Sequence, residues 1–112
     1  EASVKALAND AAKYDWLELD IVRVKGKREP VRIYSLLGPA GSLSSEQQAQ
    51  IALFQQMRQH YQRAEWEGAL AILRTLTAHS DHTLFHMFQD RIMLLKQTIN
   101  RPWDAVFNLE NK

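Results

Sequence analysis

At Gly38 the hydrophobic period of this chain changes, and that change limits what it can fold into more than any other feature. Leu17, Leu19 and Ile21 alternate with Glu18 and Asp20, the two-residue period of a half-buried strand running from Trp16 to Val24. The phase then slips, with Val22 and Val24 apolar and Arg23 polar, which predicts a bulge or a strand covered on both faces. Val31, Ile33 and Tyr34 mark a second strand from Val31 to Leu37, behind a Pro30 that is tolerated at a strand start. Residues 39–44, rich in Gly, Pro and Ser, read as a linker. Beyond them the spacing is helical. The pattern is α+β, a hairpin followed by an all-α region.

Ser44 or Ser45 suits an N-cap, with Gln47 or Gln48 completing a capping box. A first helix then lines up Leu53, Phe54, Met57, Tyr61 and Ala64. A second, from about Glu65 to Ala78, lines up Trp66, Ala69, Leu70, Leu73 and Leu76. A third, from about Thr83 to Asn100, lines up Leu84, Phe85, Phe88, Ile92, Leu95 and Ile99. Short joints favour antiparallel neighbours. Residues 45–100 form the helical region of this reading. Residues 101–112 form a C-terminal segment in which Trp103, Val106 and Phe107 follow Pro102 and are expected to fold back onto the helices or the hairpin.

Composition removes several classes of function. The chain has 112 residues, enough for one small domain or parts of two. Its 14 basic and 13 acidic residues leave a formal charge of +1, which argues against a nucleic-acid binder. No cysteine is present, so disulfides and thiolate metal sites are excluded. No apolar run approaches the roughly 18 residues of a membrane span, and no signal peptide is visible. The chain starts at Glu1 inside an expected helix, and so reads as an excised piece of a longer protein.

One bend, Val24-Lys25-Gly26-Lys27-Arg28, puts cations on either side of a glycine. Lysines flanking a glycine at a strand end suit a polyanion, because Gly lets backbone approach and Lys supplies a point charge. Most basic hairpin tips are simply solvated, so the motif alone is weak. Its surroundings are more specific. Leu17 to Gly38, with Val24-Lys25-Gly26-Lys27 and Pro30-Val31-Arg32-Ile33-Tyr34, resembles the last hairpin of class III nucleotide cyclase catalytic domains. Glu1 to Leu7 looks like the short helix before that hairpin. Residues 1–38 thus resemble the closing part of such a domain.

The helices and tail carry two further resemblances. Tyr61, Ala64, Trp66, Ala69, Leu73 and Leu76 fall where a tetratricopeptide repeat wants its aromatic, small and bulky residues, although Asp81 stands in place of the usual proline. A lone repeat needs a neighbour to stack on. Asn100 to Lys112, with Arg101-Pro102, Trp103-Asp104 and a final Lys112, resembles the terminus of bacterial membrane-anchored adenylate cyclases with an N-terminal CHASE2 sensor. Lys112 is the natural C-terminus on that reading.

The resemblance implies an enzyme that converts ATP to 3′,5′-cyclic AMP and pyrophosphate in signal transduction, at sites formed across a homodimer. It implies Mg²⁺ or Mn²⁺ held by two aspartates upstream of Glu1, and an inner-membrane anchor also upstream, with this part on the cytoplasmic side. It carries over one catalytic, substrate-binding residue here, Lys25, which reaches the terminal phosphates. Lys27 and Arg28 can add to the field, though such side chains are more often solvated. No metal ligand falls in this chain, which would be inactive alone. The alternative is that the helices are a protein-interaction or dimer-stabilising module of a degenerate, regulatory cyclase. His79, His82 and His86 have spacings seen in some metal sites but lack an acidic ligand in register. Asp104 reads as a cap or a tail contact.

Overall fold

The computed structural model describes residues 14–109. The helix expected over Glu1–Leu7 lies outside the described residues, as does Lys112. The chain is α+β. Among the described residues it has three strands and three helices, in two compact units. One unit comprises the described residues up to Ser45 together with those from Val106 onward, and the other spans Glu46–Ala105.

In the first unit, β1 (Tyr14–Arg23) and β2 (Val31–Pro39) pair antiparallel. Glu18 faces Tyr34 and Asp20 faces Ile33, so Leu19 is an extra residue in β1. This bulge explains the slip in alternation, because one inserted residue turns the rest of the strand over. After it Ile21 and Val22 are buried, and so is Asp20, whose carboxylate accepts the Ile21 N–H at 2.9 Å. Both strands run longer than their apolar pattern, β2 reaching Pro39 before Ser42 N–H closes a turn onto the Pro39 carbonyl at 3.1 Å.

A third strand, β3 (Phe107–Asn108), pairs parallel with β1, Val22 facing Phe107 and Arg23 facing Asn108. The strand order is β2-β1-β3. The region after the hairpin is therefore not all helical, and the expected two-stranded hairpin is a three-stranded sheet. Two residues are too few for any periodicity to announce a strand. The C-terminal segment also divides at Ala105, its first part belonging with the helices and its last part with the sheet.

The second unit packs α1 (Ser45–Gln62), α2 (Trp66–His79) and α3 (Thr83–Thr98). Phe54, Met57 and Tyr61 from α1, Ala69, Leu73 and Leu76 from α2, and Phe88 and Ile92 from α3 are almost wholly removed from solvent. Tyr61 meets Phe88 edge-on at 5.3 Å, the geometry that aromatic quadrupoles favour. Trp103 extends this cluster, its ring 5.3 Å from Tyr61 and 5.5 Å from Trp66. Its indole N–H donates to the Tyr61 carbonyl at 2.7 Å, one of the acceptors that a helix end leaves without an intrahelical donor. Lys96 of α3 donates to Glu67 of α2 and holds that carboxyl below its ordinary range, first by the hydrogen bond and then by charge. That small tie is present above the ordinary carboxylate range and is lost as pH falls through the lowered value.

The α1–α2 joint departs from the sequence reading at Ala64. Instead of lining the core face, Ala64 lies beyond the helix end with φ 61°. Glu65 N–H donates to the His60 carbonyl at 2.8 Å and Ala64 N–H to the Tyr61 carbonyl at 3.2 Å, the paired bonds of a Schellman C-cap. His60 and Glu65, where such caps usually place an apolar contact, instead share a 2.7 Å hydrogen bond. The left-handed position favours Gly, since a Cβ there crowds the following carbonyl. Ala64→Gly should stabilise the chain by about 0.5–1 kcal/mol after the added freedom of the unfolded state is deducted. Thermal unfolding should show a Tm rise of roughly 2–8 °C.

Candidate functional site

The bend between β1 and β2 is a tight turn. Lys27 N–H donates to the Val24 carbonyl at 2.9 Å, with Lys25 and Gly26 at the corner. Gly26 has φ +83°, the conformation a type II turn demands at its third residue. Apart from its two neighbours in the chain, nothing lies within 4 Å of the position a Cβ would occupy at Gly26, so that side of the turn is open to an incoming group. Residues 24–30 are all exposed, Val24 included. Lys25 and Lys27 stand on either side of this glycine, with Arg28 next in the chain.

Between residues 23 and 29 the sequence has four cations and one carboxylate, against a net charge of +1 for the whole chain. Further along the hairpin, Arg32 is paired with Glu18 at 2.6 Å. Positive charge is thus focused at the turn rather than spread along the strands. Arg23 sits just behind it. Its Nε–H donates to the Arg28 carbonyl at 3.1 Å, and its Nη1–H donates to the Asn108 side-chain oxygen at 2.7 Å. The Asn108 contact bridges 85 positions of sequence, and no local signal could have announced it.

The histidines go elsewhere. His79 ends α2, His82 precedes α3 with its ring 5.6 Å from Phe85, and His86 shares a hydrogen bond with Asp81 at 2.9 Å. Among the described residues no group of three or more His, Asp or Glu side chains is placed to hold a metal ion. Asp104 accepts from Arg101 at 2.9 Å. No helix among the described residues is long and apolar enough to cross a membrane.

Comparison with protein-family models, with curated proteins and with solved structures finds no match. Two ammonium groups flanking an open backbone can take an extended anion such as a phosphate chain, each as a point charge with three donors.

Proposed function

We propose that the chain is the C-terminal part of a class III adenylate cyclase, with the β1–β2 turn reaching the triphosphate of ATP. The reading rests on the turn geometry: Lys25 and Lys27 flank a left-handed Gly26 at an exposed turn that also carries Arg28. The likeness of residues 17–38 to the last hairpin of that family adds to it. In the parent enzyme the metal-binding aspartates and the purine-reading and ribose-orienting groups would lie upstream, with Mg²⁺ or Mn²⁺ there and a homodimer forming the site. Upstream segments would anchor the parent in the bacterial inner membrane.

The part that this chain plays in the reaction is electrostatic. As the ribose 3′-oxygen attacks the α-phosphorus, negative charge grows on the departing pyrophosphate. A fixed ammonium from Lys25 favours that state over the ground state. Lys27 adds to the field from the other side of Gly26.

On this reading the metal-binding aspartates lie upstream, so the 112-residue chain alone should not turn over ATP. Incubation of the pure chain with ATP and Mn²⁺ should yield no cyclic nucleotide, and measurable product would sink the assignment. A second reading draws on α3, which leaves Met93 and Leu94 each 54% exposed. On that reading the helices are a tetratricopeptide-like interaction or dimer-stabilising module of a degenerate cyclase. The upstream gene segment separates the two: two aspartates and an asparagine–arginine helix mark the active enzyme, and their absence the regulatory one.

A further inference from the structure

We infer that β3 braces the basic turn, holding through Arg23 the loop that carries Lys25 and Lys27, so that the C-terminal segment takes part in presenting those ammonium groups to a phosphate chain. Arg23 is the last residue of β1 and ties β3 and the turn together by hydrogen bonds. Its carbonyl accepts from Leu109 N–H at 2.9 Å, its Nη1–H reaches the Asn108 side chain at 2.7 Å, and its Nε–H reaches the Arg28 carbonyl at 3.1 Å. A planar guanidinium with donors fixed in a fork sets the spacing of the two acceptors it joins. One acceptor is on the C-terminal strand and the other is on the far side of the turn.

The turn has little else to order it. Its residues are exposed, so packing does not hold them, and its one internal backbone bond is Lys27 N–H to the Val24 carbonyl. A lysine on a loose loop has to be ordered when it binds, and a loop held beforehand avoids much of that cost. The residue type at 108 fits the role. An asparagine amide oxygen accepts from Arg23 without bringing a negative charge beside the turn, as an aspartate would. The brace stands on geometry alone. Its part in substrate handling rests on reading Lys25 as a triphosphate contact.

Amide hydrogen exchange followed by NMR on the 112-residue chain tests the brace, and ATP kinetics in the parent enzyme test its use. Asn108→Ala should speed exchange of the Lys27 amide roughly tenfold while the amides of α1, α2 and α3 keep their rates. Arg23→Lys keeps the charge and the backbone bond but cannot span both acceptors, so it should loosen the turn similarly. Asn108→Asp keeps the acceptor and should restore slow exchange, yet raise KM for ATP several-fold by placing a carboxylate in the field. Unchanged exchange at Lys27 in both Asn108→Ala and Arg23→Lys would overturn the brace. Loosened exchange with normal ATP kinetics in Asn108→Ala, where Lys25→Ala is impaired, would overturn its part in presenting the lysines. Loosened exchange with Lys25→Ala itself at wild-type turnover would leave the brace standing and reject the triphosphate contact instead.

Discussion

Lys25→Ala in the parent enzyme should lower kcat/KM for ATP by roughly ten- to hundredfold, the loss expected when a charge-assisted contact of about 1.5–3 kcal/mol disappears. The fold should not notice. Lys25 is exposed, and the turn is shaped by Gly26 and by a backbone bond that the lysine side chain does not make. Stability should therefore change by no more than about 0.5 kcal/mol, the range usual for surface substitutions. If charge on the departing pyrophosphate is what Lys25 stabilises, the fall should appear in kcat as well as KM. Wild-type kinetics in this variant would show that Lys25 does not touch phosphate.

Truncation after Asn100 should lower Tm by about 10 °C or more, the largest stability change expected for this chain. It removes Trp103 from the Tyr61–Trp66 cluster together with its bond to the Tyr61 carbonyl. It also removes the buried Val106 and the strand that pairs with Val22 and Arg23. Loss of a packed aromatic and a buried Val amounts to several kcal/mol, a large share of the stability of a small domain. Trp103→Ala alone should give part of this loss, and tryptophan fluorescence should report it from the helical unit. An unchanged melting curve after truncation would mean that the segment contributes nothing to the folded chain.

The helices were legible because each buries one face of a 3.6-residue repeat. Phe54, Met57, Tyr61, Leu73, Phe88 and Ile92 fall on their expected faces and are buried. Ala64 misled because alanine at helical spacing looks like core, and only the cap bonds around it reveal a left-handed residue past the helix end. Arg58 lies buried on α1, where a charged residue gave no hint of an inward side chain. In β1 the slip in alternation did point to a bulge, although the extra residue, Leu19, precedes the place where the pattern breaks. At the site, Lys25, Gly26 and Lys27 could be picked out as a turn because Gly between cations is a local signature. Arg23 and Asn108 could not be linked, since long-range hydrogen bonds leave no trace in local spacing.

The separation between Arg23 and Asn108 also sets an order of assembly. The hairpin and the helix pairs are built from near neighbours and can form early, whereas β3 must close a loop of about 85 residues for two residues of pairing. So short a strand cannot offset that closure until the intervening helices have condensed. It joins last and, on the way to unfolding, leaves first. Substitutions in it should quicken unfolding while hardly slowing folding. During synthesis, the turn bearing Lys25 emerges long before Asn108 does. Its lysines are chemically complete from the start, but their scaffold is finished only after the helices have been made and folded, so that maturation of the basic turn becomes a late event governed by the far end of the chain.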